Sequence, residues 1–144
     1  MVDDVVLNKV ATIERCVARA RAEYFSAPAT FGQDVTRQDA AILNIQRACE
    51  ASLDLGHHVI RRDRLGVPQG ARDVFELLRQ AGRLPDELAL ALKKMVGFRN
   101  VAVHDYQALH LPIVEAVIAH HLGDFERFTA CMLRSRGKEP GPGP

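Results

Sequence analysis

The apolar residues of this chain recur at alternating spacings of four and three, and nowhere do they alternate one by one with polar residues as a half-buried strand requires. Over residues 2–24 the stripe is Val6, Val10, Ile13, Val17, Ala20 and Tyr24, with Glu14, Arg15 and Arg19 on other faces. A stripe of that period lies on one side of a helix and must be buried against other helices. Pro28 and Gly32 interrupt it, and Asp34 or Thr36 is placed to cap a second helix running to about Asp63. Its inward residues are Ala41, Ile42, Ile45, Ala48, Cys49, Ser52, Leu53, Gly56, Val59 and Ile60, a face rich in small side chains that lets a neighbour approach closely. Gly66, Pro68 and Gly70 lead to a short third helix at about 71–81, with Val74, Leu77 and Leu78 inward and Gly82 as its stop. Pro85, Asp86 and Glu87 suit the first turn of a fourth helix, since proline needs no amide partner there and carboxylates favour the positive end of the helix dipole. Pro112 opens a fifth, to about Arg134, striped by Val114, Val117, Ile118, His121, Phe125, Phe128 and Met132, in which His121 reads as a hydrogen-bonded core histidine. The expected fold is therefore all-α, an up-and-down bundle of about five helices.

At 144 residues the chain suits one domain, spanning 1–136, while 137–144, all Gly, Pro, Lys and Glu, reads as a disordered tail. No apolar run approaches the roughly 20 residues of a membrane span. The opening Met1-Val2-Asp3-Asp4 lacks the basic start of a signal peptide, which makes the cytoplasm the expected compartment. Cys16, Cys49 and Cys131 are odd in number and widely spaced, which suggests buried small hydrophobes rather than disulfides or a zinc site. A net charge of +1 does not advertise a nucleic-acid binder, although Arg61-Arg62-x-Arg64 and Lys93-Lys94 are local clusters that read either as phosphate contacts or as solvated helix ends.

The chemistry concentrates in Val96-Gly97-Phe98-Arg99-Asn100-Val101-Ala102-Val103-His104-Asp105-Tyr106. Leu88, Leu92, Met95 and Arg99 share one stripe, so the guanidinium faces inward and requires a carboxylate, a phosphate or backbone carbonyls. On the outer face of the second helix, Glu50 and Asp54 are candidates for that carboxylate and for a supporting role at the site; otherwise they belong to a solvated face with Arg47, His57, His58 and Arg61. In an unbroken helix His104 sits roughly 140° around from Arg99. Either the helix ends near Ala102 and the chain turns His104 back, or the arginine of one copy meets the histidine of another. Arginine, histidine and tyrosine together suit phosphate chemistry. Glycine-rich phosphate loops, Gly-x-Ser-x-Gly and His-Glu-x-x-His are all missing from the sequence, and the adjacent pairs His57-His58 and His120-His121 cannot chelate alone; no metal or cofactor is expected.

Arg99-x4-His104-x-Tyr106 resembles the signature of the HEPN superfamily, and Gly97 to His104, with Asn100 directly after the arginine, is similar to its HepT-type bacterial toxins. The resemblance covers roughly residues 2–135. It implies an α-helical bundle that pairs as a homodimer and cleaves RNA, whether tRNA or mRNA, without metal at the interface. Arg99 and His104 are the implied catalytic pair, with Asn100 orienting the histidine or a phosphate oxygen. It further implies a toxin–antitoxin system in which a minimal nucleotidyltransferase of the MntA type neutralises the toxin by adenylylating Tyr106. Two other readings compete: a non-catalytic nucleotide-binding or regulatory partner of a nucleotidyltransferase, and a purely structural helical dimer with Arg99, His104 and Tyr106 in a helix-end polar network.

Overall fold

The computed structural model describes residues 3–135, so the expected tail at 137–144 lies outside the described residues. Six α-helices and two 3-10 turns follow one another: α1 (Asp4–Phe25), a turn at Phe31–Gln33, α2 (Val35–Asp63), α3 (Ala71–Gln80), α4 (Asp86–His104), a turn at Tyr106–Ala108, α5 (Leu111–His120) and α6 (Leu122–Arg134). Of the two candidates for capping the second helix, Asp34 takes the role, and α1 has a cap of its own in Asp3. Asp3 accepts from the amides of Val5 and Val6 at the head of α1, and Asp34 accepts from Arg37 at the head of α2. Pro85 stands at the N-cap of α4, one position earlier than its sequence suggests. Gly82, with φ +74°, ends α3 by letting Arg83 donate to the Leu78 carbonyl at 2.9 Å.

Helices α1 and α2 form a long antiparallel hairpin. Lys9 pairs with Asp54 at one end, and Arg37 donates to Ser26 at the other. Helices α3 and α4 form a second hairpin, held by Lys93 to Glu76 at 2.5 Å and Arg79 to Asp86 at 3.3 Å. The core between them is made of fully buried Ile13, Ile45, Leu55, Ile60, Leu88, Leu92, Phe125 and Phe128. Each such side chain contributes about 1.5–3 kcal/mol by leaving water. Phe75 of α3 meets Phe128 of α6 edge to face with ring centroids 5.5 Å apart, an approach permitted by Gly56 of α2, where a Cβ would come within 2.5 Å of Val74. All three cysteines are buried and unpaired.

Two expectations fail here. The single fifth helix is broken at His121, whose φ of −123° and ψ of −9° end α5 and start α6 with no intervening loop. His121 is accordingly not a core residue. It is exposed, with Nδ1 3.4 Å from Asp124, while Leu122 takes the buried place. The break exchanges an imidazole for a leucine at the interior position, the favourable choice because a buried imidazole demands hydrogen-bond partners and a leucine does not.

Candidate functional site

The site is built on the second half of α4. Leu88, Leu92, Met95 and Val96 are buried against the bundle and fix the rotation of the helix. That rotation carries Arg99 to the wall shared with α2. Its Nε is shut off from solvent and has no hydrogen-bond partner, and its charge bears on the thiol of Cys49. Burial pushes that thiol up to about 12, with the guanidinium pulling the other way. Arg99 also lines a cleft of about 660 Å³, walled by Glu50, Asp54 and His57 of α2 and by Pro68 to Ala71 before and at the start of α3.

The expected carboxylate does not reach the arginine. Asp54 is 3.3 Å from Lys9, and Glu50 accepts from Gln46 at 3.2 Å. Both stand in the cleft wall, yet among the described residues Arg99 has no ion-pair partner. Both carboxylates are already engaged, Asp54 by Lys9 across the α1–α2 hairpin and Glu50 by Gln46 one turn away on its own helix. Arg99 therefore lines an open cleft as a cation with no ion-pair partner among the described residues, free to bind an anion, although the carboxylates of Glu50 and Asp54 in the wall oppose its approach.

Helix α4 continues without a break through His104 and stops at Asp105, whose amide donates to the Val101 carbonyl at 2.8 Å. The possibility that the chain turns back after Ala102 is thereby removed. Five residues of continuous helix separate Arg99 from His104 by roughly 140° and about 7.5 Å of rise, so within one chain they face different directions. His104 is exposed, and half-buried Asn100 lies one turn before it on the same face. Tyr106, 43% exposed, begins the 3-10 turn, and its hydroxyl donates to Asp39 near the start of α2. Partial burial, that hydrogen bond and the Asp39 charge push the phenol up to about 12.

Asp39 and Cys49 were not legible as site residues. Asp39 lies 67 positions from Tyr106 with no pattern linking them, and Cys49 reads only as one more inward residue of α2. The basic clusters are partly committed: Arg62 serves Asp3 and Asp63, and Lys93 serves Glu76, while Arg61, Arg64 and Lys94 remain exposed. An apolar cavity of about 460 Å³ lies between α4 and α5, lined by residues that include Leu90, Phe98, Val101 and Ile113. Among the described residues no group of three or more His, Cys, Asp or Glu is placed to hold a metal ion, and no helix is long and apolar enough to cross a membrane.

Comparison with known proteins gives this geometry a context. The family model described as ribonuclease HepT-like matches residues 13–132, a span containing Arg99, Asn100, His104 and Tyr106. An mRNA nuclease HepT of Shewanella oneidensis is 51% identical over 126 residues, which cover 88% of this chain and 94% of the relative. Among solved structures, a tri-AMPylated Shewanella oneidensis HEPN toxin in complex with MNT antitoxin superposes with a TM-score of 0.87 at 48% identity, covering 92% of this chain and 99% of that one. A toxin–antitoxin crystal structure with AMP-PNP gives a TM-score of 0.88 at 48% identity over the same shares. With a matching family model over most of its length and a relative at 51% identity, the chain belongs to the HepT-like ribonuclease family.

Proposed function

We propose that this chain is the endoribonuclease toxin of a toxin–antitoxin pair, acting on RNA in the cytoplasm and neutralised by adenylylation of Tyr106 by a minimal nucleotidyltransferase. The observation that carries this reading is Arg99: a guanidinium with a buried, unpartnered Nε, no ion-pair partner among the described residues, and an open cleft beside it. A charge kept in that state at a cost in stability is suited to a ligand that brings its own negative charge. The likeness to an mRNA nuclease HepT supports a messenger RNA substrate, and the likeness to a tri-AMPylated toxin in complex with MNT antitoxin supports the mode of control.

The divergence of Arg99 and His104 on one continuous helix calls for two copies, with the arginine of one serving the histidine of the other. Exposed Leu90 and Val103 on α4 and Ile113 on α5 offer apolar surface for such pairing. In the proposed reaction the ribose 2′-oxygen attacks the adjacent phosphorus and gives its proton to His104. The bond to the 5′-oxygen breaks, and that oxygen leaves with the electron pair and takes a proton from water, giving a cyclic phosphate and a free 5′-hydroxyl. Arg99 binds the non-bridging oxygens, where charge accumulates during the step, and Asn100 orients the imidazole from one turn below. Adenylate on the exposed Tyr106 phenol places a phosphodiester charge and a purine two residues from His104, where they obstruct an RNA backbone.

Purified full-length chain incubated with a single-stranded RNA, and separately with DNA of the same sequence, tests the reading. Expected are fragments ending in cyclic phosphate from RNA alone, undiminished by a chelator. Cleavage of DNA at a similar rate, or arrest by the chelator, excludes the mechanism.

A further inference from the structure

The Tyr106 hydroxyl makes one hydrogen bond among the described residues, and its acceptor is the carboxylate of Asp39. The turn that carries Tyr106 buries none of its own residues, so apolar packing does little to hold the phenol in place. Asp39, by contrast, stands on the second turn of α2, a helix capped by Asp34 and anchored directly afterwards by buried Ala41 and Ile42. Both partners are exposed, open to a nucleotide presented by a second protein.

We propose that Asp39 fixes the Tyr106 phenolic oxygen for nucleotidyl transfer and accepts its proton as that oxygen attacks. The inference rests on the reading of Tyr106 as the modified residue and adds the group that makes it a nucleophile. A phenol held up at about 12 is almost wholly protonated at neutral pH, so its proton must leave as the new bond forms. The Tyr106 oxygen forms a bond to the α-phosphorus of a nucleoside triphosphate, the bond from that phosphorus to the β-phosphate bridging oxygen breaks, and pyrophosphate leaves with the electron pair. The phenolic proton passes to the Asp39 carboxylate and on to solvent. The product oxygen has no hydrogen to donate, and its new phosphodiester repels Asp39, so the original contact cannot re-form.

Other groups near the phenol do not take this role. His104 and Asp105 precede it and His110 follows it in the chain, and none bonds to it among the described residues. On α2, Arg37 is engaged by Asp34 and Ser26; on α4, Arg99 bears on Cys49. Asp39 is the charged group whose field reaches the phenol.

The test incubates full-length chain with the cognate minimal nucleotidyltransferase, magnesium and ATP labelled at the α-phosphate, and follows label on Tyr106 between pH 6 and 9. Asp39→Asn keeps an acceptor oxygen of the same shape but cannot take the proton. Its transfer rate should fall by about 100-fold at pH 7. The deficit should narrow as pH rises and solvent base replaces the carboxylate, Asp39→Glu should recover most of the rate, and the melting temperature should be unchanged. Transfer to Asp39→Asn at the wild-type rate, or a pH-independent loss that glutamate does not rescue, overturns the proposal. Wild-type chain that takes up no label on Tyr106 would instead remove the reading of the modified residue, and this inference with it.

Discussion

Asp3 and His58 are joined through Oδ2 and Nε2 at 2.7 Å, and this contact pins the first residue of the described chain to the last two turns of α2. Arg62 donates to the same oxygen at 3.0 Å and also grips Asp63, which Arg83 reaches at 2.7 Å. Arg62 and Arg83 both donate to Ser135, so the network draws the two ends of the described chain together at one end of the bundle. Partial burial raises the Asp3 carboxyl, and the bonds from His58, Arg62 and the Val6 amide outweigh it, bringing the group down to about 2.

A depressed carboxyl stabilises the fold above its unfolded value of 3.8 and loses that contribution as pH falls through about 2. Asp3→Asn keeps the helix cap and removes the charge. It should lower stability at pH 7 by on the order of 1 kcal/mol, discounted for solvent screening at a partly exposed site. Thermal melts between pH 7 and pH 2 should show the two proteins converging as acid titrates Asp3. A deficit that persists at pH 2 would mean that packing rather than charge is responsible.

Arg99→Leu separates activity from stability. The variant removes a buried Nε that has no partner, a defect worth roughly 1 kcal/mol or more, and puts an apolar side chain on a stripe with Leu92 and Met95. RNA cleavage should be lost while the melting temperature holds or rises. A marked fall in melting temperature would show that Arg99 is a structural cation.

His104→Ala should abolish RNA cleavage with a stability change within about 0.5 kcal/mol, because the side chain is exposed at the last position of α4. Mixing it with Arg99→Ala extends the test. If the site is shared between copies, heterodimers carrying one defect each retain one intact arginine and one intact histidine, and their activity reports whether those two meet. Mixtures as inactive as either variant alone would argue against a shared site.

Gly56→Ala should destabilise by about 1–3 kcal/mol despite alanine's better helix propensity. The added Cβ would stand 2.5 Å from Cγ1 of Val74, a β-branched side chain with little freedom to move, and 3.3 Å from Leu78. Chemical denaturation measures the loss. A neutral outcome would mean that α3 slides on α2 at no cost.

Much of the bundle was written in local pattern. The four-and-three spacing of Val6 to Tyr24 and the caps at Asp34 and Gly82 define helices whichever neighbours they meet, because periodicity and capping act within a few residues. The inward placing of Arg99 beside Leu92 and Met95 followed from the same geometry. What periodicity does not contain is the pairing of one element with another. The break at His121 depends on whether an imidazole or Leu122 best fills the interior. Lys9 rather than Arg99 has Asp54 because of how α1 lies on α2, and Asp39 meets Tyr106 only because α2 passes the end of α4. Those contacts join residues dozens of positions apart, and packing of the whole chain decides them.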